Sequence, residues 1–150
     1  MIEKGKEFGF YNQIYFPVYL CSKEIMGMYN NLLKEVNLTY TQYIVMLYFW
    51  EVGSSDLKTI SKALMLDPST LTPLLKKLEQ KGFIVRNRSV SDERKLMITL
   101  TEEGIRLKER AMCVPQKMIA RFNLTEDEVN TLNAISSKVI KIIRKCEEYD

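Results

Sequence analysis

No histidine occurs anywhere in this 150-residue chain. That removes the commonest general base and the Ser–His and Cys–His nucleophile pairs. Cysteine is scarce too: Cys21, Cys113 and Cys146 are odd in number and far apart, with no CxxC pair. Such spacing points to free thiols and offers no ligand set for structural zinc. The six glycines are scattered, and neither a Walker A loop nor a GxGxxG turn is present. No enzyme activity and no cofactor are expected. The longest apolar run, "YIVMLYFW" (Tyr43–Trp50), is too short to cross a bilayer, and the opening "MIEKGKEFGF" lacks the apolar stretch of a signal peptide. The expectation is a cytoplasmic protein with no membrane partner.

What is present is an ordinary globular composition, 46% hydrophobic and 27% charged, which is not that of a disordered chain. The net charge is only +3, but its distribution is uneven. Between Lys76 and Lys95, seven basic residues (Lys76, Lys77, Lys81, Arg86, Arg88, Arg94, Lys95) face three acidic ones (Glu79, Asp92, Glu93). A basic patch on a near-neutral body is the electrostatic footprint of a polyanion binder.

Periodicity reads mostly as helix. "SKEIMGMYNNLLKEV" (Ser22–Val36) sets Ile25, Met28 or Tyr29, Leu32 and Val36 at helical spacing, with Pro17 suited to that helix's first turn. Thr39 and Gln42 make a capping-box pair that starts a second helix running to about Glu51, and Gly53-Ser54-Ser55 breaks it. "DLKTISKALML" predicts a short helix with Leu57, Ile60 and Leu64 on one face. In "LDPSTLTPLLKKLEQKG", Asp67 can cap, Pro68 fits the first helical position and Gly82 sits where a left-handed residue ends the helix. Leu71, Leu74, Leu75 and Leu78 form its apolar stripe; Ser69, Thr70, Thr72, Lys76, Lys77 and Gln80 form the other face, and Pro73 is awkward inside it.

"FIVRNR", the polar "SVSDERK" and "LMITLT" read as a β-hairpin, with Leu96, Ile98 and Leu100 alternating inward. Thr101 caps a further helix carrying Ile105, Leu107 and Ala111, with a kink expected at Pro115. Thr125 and Glu128 form a second capping box, followed by Val129, Leu132, Ile135, Val139 and Ile142 at three- and four-residue spacing. The predicted fold is mainly α with a small β-hairpin wing.

Two helices, Leu57–Leu64 and Pro68–Lys81, joined by the turn Met65–Asp67 and followed by a hairpin, make a winged helix-turn-helix. A helix of this kind fits the major groove of double-stranded DNA with its N-terminal residues near base edges and phosphates. Ser69, Thr70 and Thr72 are short hydrogen-bonding groups in the right turns, and Lys76 and Lys77 can neutralise flanking phosphates. Arg94 is the residue expected to enter the adjacent minor groove, oriented by Asp92, while Arg86 and Arg88 reach backbone phosphates. Read one lysine at a time, a solvated surface charge is an equal alternative. The long apolar strip of the last helix suits a partner subunit, with core packing as its alternative. A two-fold dimer would read a pseudo-palindromic operator.

These residues resemble the MarR (multiple-antibiotic-resistance regulator) family of winged-helix repressors along almost the whole chain. The motifs are "LTYTQYIVMLYFWE", "LDPSTLTPLLKKLEQKGFIVR" and the wing "RSVSDERKLMITLTEEG" with its Asp92-x-Arg94 signature. Leu20 to Tyr43 is similar to the organic-hydroperoxide and oxidative-stress branch without a gap. The resemblance implies an obligate homodimer and DNA release by a ligand or by oxidation. It also implies DNA contacts at Ser69, Thr70, Thr72, Lys76, Arg86, Arg88, Asp92 and Arg94. As a single domain over 1–150, the chain would divide into a dimerisation region (9–36 and 102–147) and a DNA-binding region (40–100).

That branch senses peroxide with a cysteine near the start of the first long helix, in contact with two tyrosines of the partner subunit. Tyr29 and Tyr40 match those tyrosines, Tyr19 matches another pocket aromatic, and Tyr15 stands where the cysteine would be. Cys21 lies six residues later, roughly 240° further around a helix. It is open to two readings, a sensor thiol or a small buried hydrophobe, with packing as its default role. Tyr15, Tyr19, Tyr29 and Tyr40 are open to two as well: a pocket for a small phenolic or aromatic ligand, or aromatic packing between subunits. The expected function is therefore a homodimeric repressor released from its operator by a small ligand or an oxidative signal. The alternatives are a peroxide sensor using Cys21, or an adaptor that keeps the fold and binds proteins instead of DNA.

Overall fold

The computed structural model describes residue 13, residues 15–88 and residues 96–147, with side chains as far as residue 145. The chain order is α1 (Phe16–Leu33), a 3-10 turn (Lys34–Val36), α2 (Tyr40–Val52), β1 (Ser54–Asp56), α3 (Leu57–Leu64), α4 (Pro68–Gln80), β2 (Ile84–Arg88), β3 (Leu96–Leu100), α5 (Glu102–Ala111), α6 (Cys113–Phe122) and α7 (Glu126–Glu147). The architecture is mainly helical with a small antiparallel sheet, as the sequence predicts. Among the described residues, no helix is long and apolar enough to cross a membrane.

Local chemistry sets most of the boundaries. At the start of α2, Thr39 Oγ1 accepts from the Gln42 amide (3.4 Å) while Gln42 Oε1 accepts from the Thr39 amide (3.2 Å). This is the expected capping box. Asp56 starts α3 by accepting from the Thr59 amide (2.9 Å) and hydroxyl (2.7 Å). Thr101 starts α5, its hydroxyl oxygen accepting from the Gly104 amide (3.0 Å) and donating to the Gly82 carbonyl (2.5 Å). Gly82 has φ +76, the left-handed conformation expected after α4.

The first helix begins at Phe16 with Pro17 in its opening turn, as the sequence predicts. Several other expectations need correction. Ser54–Asp56 does more than break α2: it is a third strand, pairing Ser55 with Ile98 beside β3. Asp67 precedes α4, but its side chain makes no capping hydrogen bond; its main-chain carbonyl accepts from Thr70 and Leu71 instead. Pro115 does not kink one helix. The chain breaks at Met112, and Pro115 lies in the first turn of α6, where its missing N–H costs nothing.

The core is built by α2, α3, α4, α5 and the sheet. Phe49, Met46, Ile60, Leu71, Leu75, Leu78, Ile98 and Leu107 are fully enclosed. Trp50 Nε1 donates to the Gly104 carbonyl (2.8 Å), tying α2 to α5. A Cβ on Gly104 would collide with the Phe83 carbonyl oxygen, so only glycine lets α5 start this close to the base of the hairpin. Up to Val114 the chain forms one compact unit, and from Pro115 it forms a second. In the second unit, α7 opens on the expected capping box, Thr125 N donating to Glu128 Oε2 (2.8 Å) and Glu128 N to Thr125 Oγ1 (3.3 Å).

Candidate nucleic-acid interface

The candidate site starts with the turn between α3 and α4. Met65 adopts a left-handed conformation (φ 54) that ends α3, and Ser61 Oγ donates to the Leu66 carbonyl (2.6 Å), closing the corner. α4 then lays Leu71, Leu75 and Leu78 into the core. Its opposite face leaves Ser69, Thr70, Thr72, Lys76, Lys77 and Gln80 exposed. The amphipathic spacing of one helix therefore brings five of the predicted site residues onto one solvent-facing surface. Thr72 is partly occupied: its hydroxyl donates to the Pro68 carbonyl (2.7 Å), leaving the oxygen able to accept.

The hairpin arginines separate. Arg88 is exposed at the end of β2, opposite Leu96 in the register. Arg86 is not the open phosphate ligand expected of it. Its Nε and Nη2 donate to Glu79 Oε2 (2.8 and 2.6 Å), its amide donates to Glu79 Oε1 (3.0 Å), and its side chain is only 22% exposed. The hydrogen bonds from Arg86 hold the Glu79 carboxyl below its ordinary value. An arginine whose guanidinium gives two N–H groups to one carboxylate oxygen braces α4 against β2 and adds little to a positive surface. Asp92 and Arg94 lie outside the described residues, as does the side chain of Cys146.

Lys81 also leaves the basic patch. Its Nζ turns inward and donates to the Asn37 carbonyl (2.5 Å) and to Gln42 Oε1 (2.9 Å). Desolvation, and then the charge of Lys77, lower its pKa. In the other direction, Lys58 and Lys62 are exposed on α3, outside the basic stretch that runs from Lys76 to Lys95. The signal was available: Leu57, Ile60 and Leu64 claim the buried side of α3, which leaves those lysines on the outer one.

The proposed sensor residues do not all meet within one chain. Tyr29 and Tyr40 pack together with ring centroids 4.8 Å apart, and Tyr43 lies 6.1 Å from Tyr29. Burial, and then the neighbouring Tyr40, raise the Tyr29 phenol. Tyr15 and Tyr19 sit at the other end of α1, 65% and 61% exposed, with Tyr19 stacked on Phe16. Fourteen helical residues separate Tyr15 from Tyr29, a rise of about 21 Å. Cys21, expected by default to pack, is exposed on α1. It lies outside the shallow open depression lined by Tyr19, Ser22, Lys23, Met26, Gly27 and Asn30. Among the described residues, no cluster of metal-ligating side chains occurs.

With this geometry in view, comparison with known proteins settles the family. A family model described as transcriptional regulator SarA/Rot matches residues 27–111. The organic hydroperoxide resistance transcriptional regulator of Bacillus subtilis is 39% identical over 123 residues, covering 82% of this chain and 84% of that protein. The chain belongs to the MarR family of winged-helix regulators. Within it, the Staphylococcus aureus regulator SarZ is 42% identical over 130 residues, covering 84% of this chain and 88% of its own. The solved structure of reduced AbfR bound to DNA superposes with a TM-score of 0.75 at 32% identity, over 89% of this chain and 95% of that one. The Bacillus match supports the organic-hydroperoxide branch of the MarR family. The family model and the Bacillus and Staphylococcus aureus relatives are named as regulators of transcription, not as enzymes.

Proposed function

We propose that this protein is a homodimeric transcriptional repressor that binds a pseudo-palindromic operator in double-stranded DNA and leaves it when a small ligand binds. The observation that carries the reading is the divided surface of α4. Three leucines anchor one face, while Ser69, Thr70, Thr72, Lys76 and Lys77 stand exposed on the other. Short hydroxyls at the N-terminal end can reach base edges, and the lysines one and two turns later can meet phosphates. Lys58 and Lys62 on α3 and Arg88 at the wing's base extend the cationic surface, with Asp92 and Arg94 assigned to the wing tip by family resemblance. Arg86 is withdrawn from the contact set because Glu79 holds it.

The dimer reading rests on the apolar residues that α1 and α7 leave in solvent. Val18 and Tyr19 on α1, and Leu132, Ile135, Ile142 and Ile143 on α7, are exposed in the single chain. A second copy would cover them, which makes 9–36 and 102–147 the dimerisation region and 40–100 the DNA-binding region. The four tyrosines would then form one pocket only by contributions from both chains. An aromatic or phenolic ligand is the signal this arrangement favours, because Tyr15 cannot follow a thiol's oxidation path.

The test is a salt-dependent binding titration on a duplex from the gene's own upstream region. Wild type should bind with a steep log–log slope, and Lys76→Ala and Arg94→Ala should each weaken binding and flatten that slope by about 1.8, one contact being lost in each half-site. Peroxide should leave affinity unchanged while a phenolic compound lowers it. A peroxide response that disappears in Cys21→Ser would instead make that thiol the sensor. Failure to bind any genomic fragment at low salt would favour the protein-binding adaptor.

A further inference from the structure

Within the first compact unit, one polar node joins three elements that are far apart in sequence. Gln42, buried at 3% exposure, is the third residue of α2. Its Oε1 accepts both from the Thr39 amide (3.2 Å) and from Lys81 Nζ (2.9 Å). The same ammonium donates to the carbonyl of Asn37 (2.5 Å), which stands in a left-handed conformation (φ 55) just after the 3-10 turn. Between these residues, the Tyr40 amide donates to Asn30 Oδ1 of α1 (2.8 Å), and the Tyr40 ring packs on Tyr29. One turn of chain therefore carries ties to α1 on one side and to the end of α4 on the other.

Lysine is an expensive choice for such a place. A neutral residue would avoid desolvating an ammonium, and a phosphate-binding lysine would point outward as Lys76 and Lys77 do. The two accepting oxygens recover part of the desolvation cost only when α4 ends where it does relative to the α1–α2 junction. We propose that Lys81 is a positioning residue that latches the C-terminal end of α4 to that junction, so that the frame around the Tyr29–Tyr40 pair sets how α4 presents its polar face. This deepens the regulator reading and rests on it. It also supplies a short route by which occupation of the tyrosine pair reaches the DNA-facing helix.

The experiment uses full-length wild type, Lys81→Met, Gln42→Met and the double variant, each first checked for cooperative unfolding. Hydrogen exchange is measured without DNA, and affinity is measured for an upstream-region duplex and for a random-sequence duplex of the same length. In Lys81→Met, exchange across Asn37–Gln42 and in the last turn of α4 should become roughly tenfold faster, with the sheet unaffected. Affinity for the upstream duplex should fall by roughly tenfold, the scale of one mismatched base pair. Affinity for the random duplex, and its salt slope, should stay at wild-type values. Gln42→Met should reproduce the loss, and the double variant should be no worse than either single one.

Equal losses on both duplexes would mean a general weakening of the fold and overturn the positioning role. A salt slope flattened by about 1.8, one phosphate contact in each half-site, would make Lys81 an ordinary phosphate contact and overturn it as well. Unchanged exchange would overturn the latch itself, whatever the DNA arms give. Faster exchange in a protein whose wild type binds neither duplex would retain the latch and overturn the regulator reading together with the positioning role.

Discussion

The winged core and the terminal helices treat apolar side chains in opposite ways. Between α2 and α5, each element buries an apolar face within its own chain: Phe49, Ile60, Leu71, Ile98 and Leu107 have no exposed surface. Along α7 the residues at helical spacing stay in water, with Ile135 58% and Ile142 54% exposed. Both regions show the same periodicity in sequence. Only the first satisfies it within one chain, so an apolar stripe predicts burial without saying which molecule provides it.

The sharpest way to break this contrast is to hollow the closed region. Phe49→Ala should cost about 4 kcal/mol, the lost burial plus the cavity left behind, read as a lowered midpoint in chemical denaturation. Ile135→Glu attacks the open region instead. If a second copy covers α7, placing an unpaired carboxylate there should weaken association by about 3 kcal/mol. Sedimentation would then report a monomer, while the spectroscopic signature of the winged core remains. A variant that stays dimeric would show that α7 is not the seam.

A pH experiment separates the regions next. Tyr43 lies in the closed core, and burial, followed by Tyr29, Cys113 and Tyr40, pushes its phenol up to about 12. An acid whose pKa is raised on folding contributes stability that is intact below its unfolded value near 10 and is lost as pH rises toward 12. Alkaline denaturation should therefore be shallower in Tyr43→Phe over that window. If the slopes coincide, Tyr43 is not the group responsible.

Two arginine and lysine variants give a smaller effect. Lys76→Ala should flatten the salt slope of DNA binding by about 1.8, one contact in each half-site, whereas Arg86→Ala should leave it unchanged and lower thermal stability instead. The smallest change concerns Met65, which is 58% exposed and holds a left-handed φ of 54. Met65→Gly should raise stability by about 0.5 kcal/mol, the relief of a backbone conformation unfavourable to side chains less the entropy glycine loses. A small rise in the thermal midpoint would register it.

Much of the candidate site was legible because its signals are local. Capping boxes act over three residues, and a helix repeats over three and four, so Thr39, Thr101, Thr125 and the polar face of α4 could be read one window at a time. The intramolecular partners of Arg86 and Lys81 are not legible for the opposite reason. A charge count cannot tell an outward lysine from one whose ammonium reaches Gln42, 39 positions earlier in the chain. Gly53-Ser54-Ser55 reads as a break because Ser54, Ser55 and Asp56 become a strand only when β3 lies beside them.

The sequence by itself determined most of the helices, the caps at Thr39, Thr101 and Thr125, the amphipathic division of α4 and the family, all of which follow from neighbours along the chain. Tertiary structure decided which charges stay available to a partner. An ammonium or guanidinium is free or spent according to the oxygens that folding brings within about 3 Å of it, and chain order does not encode that approach in any short window.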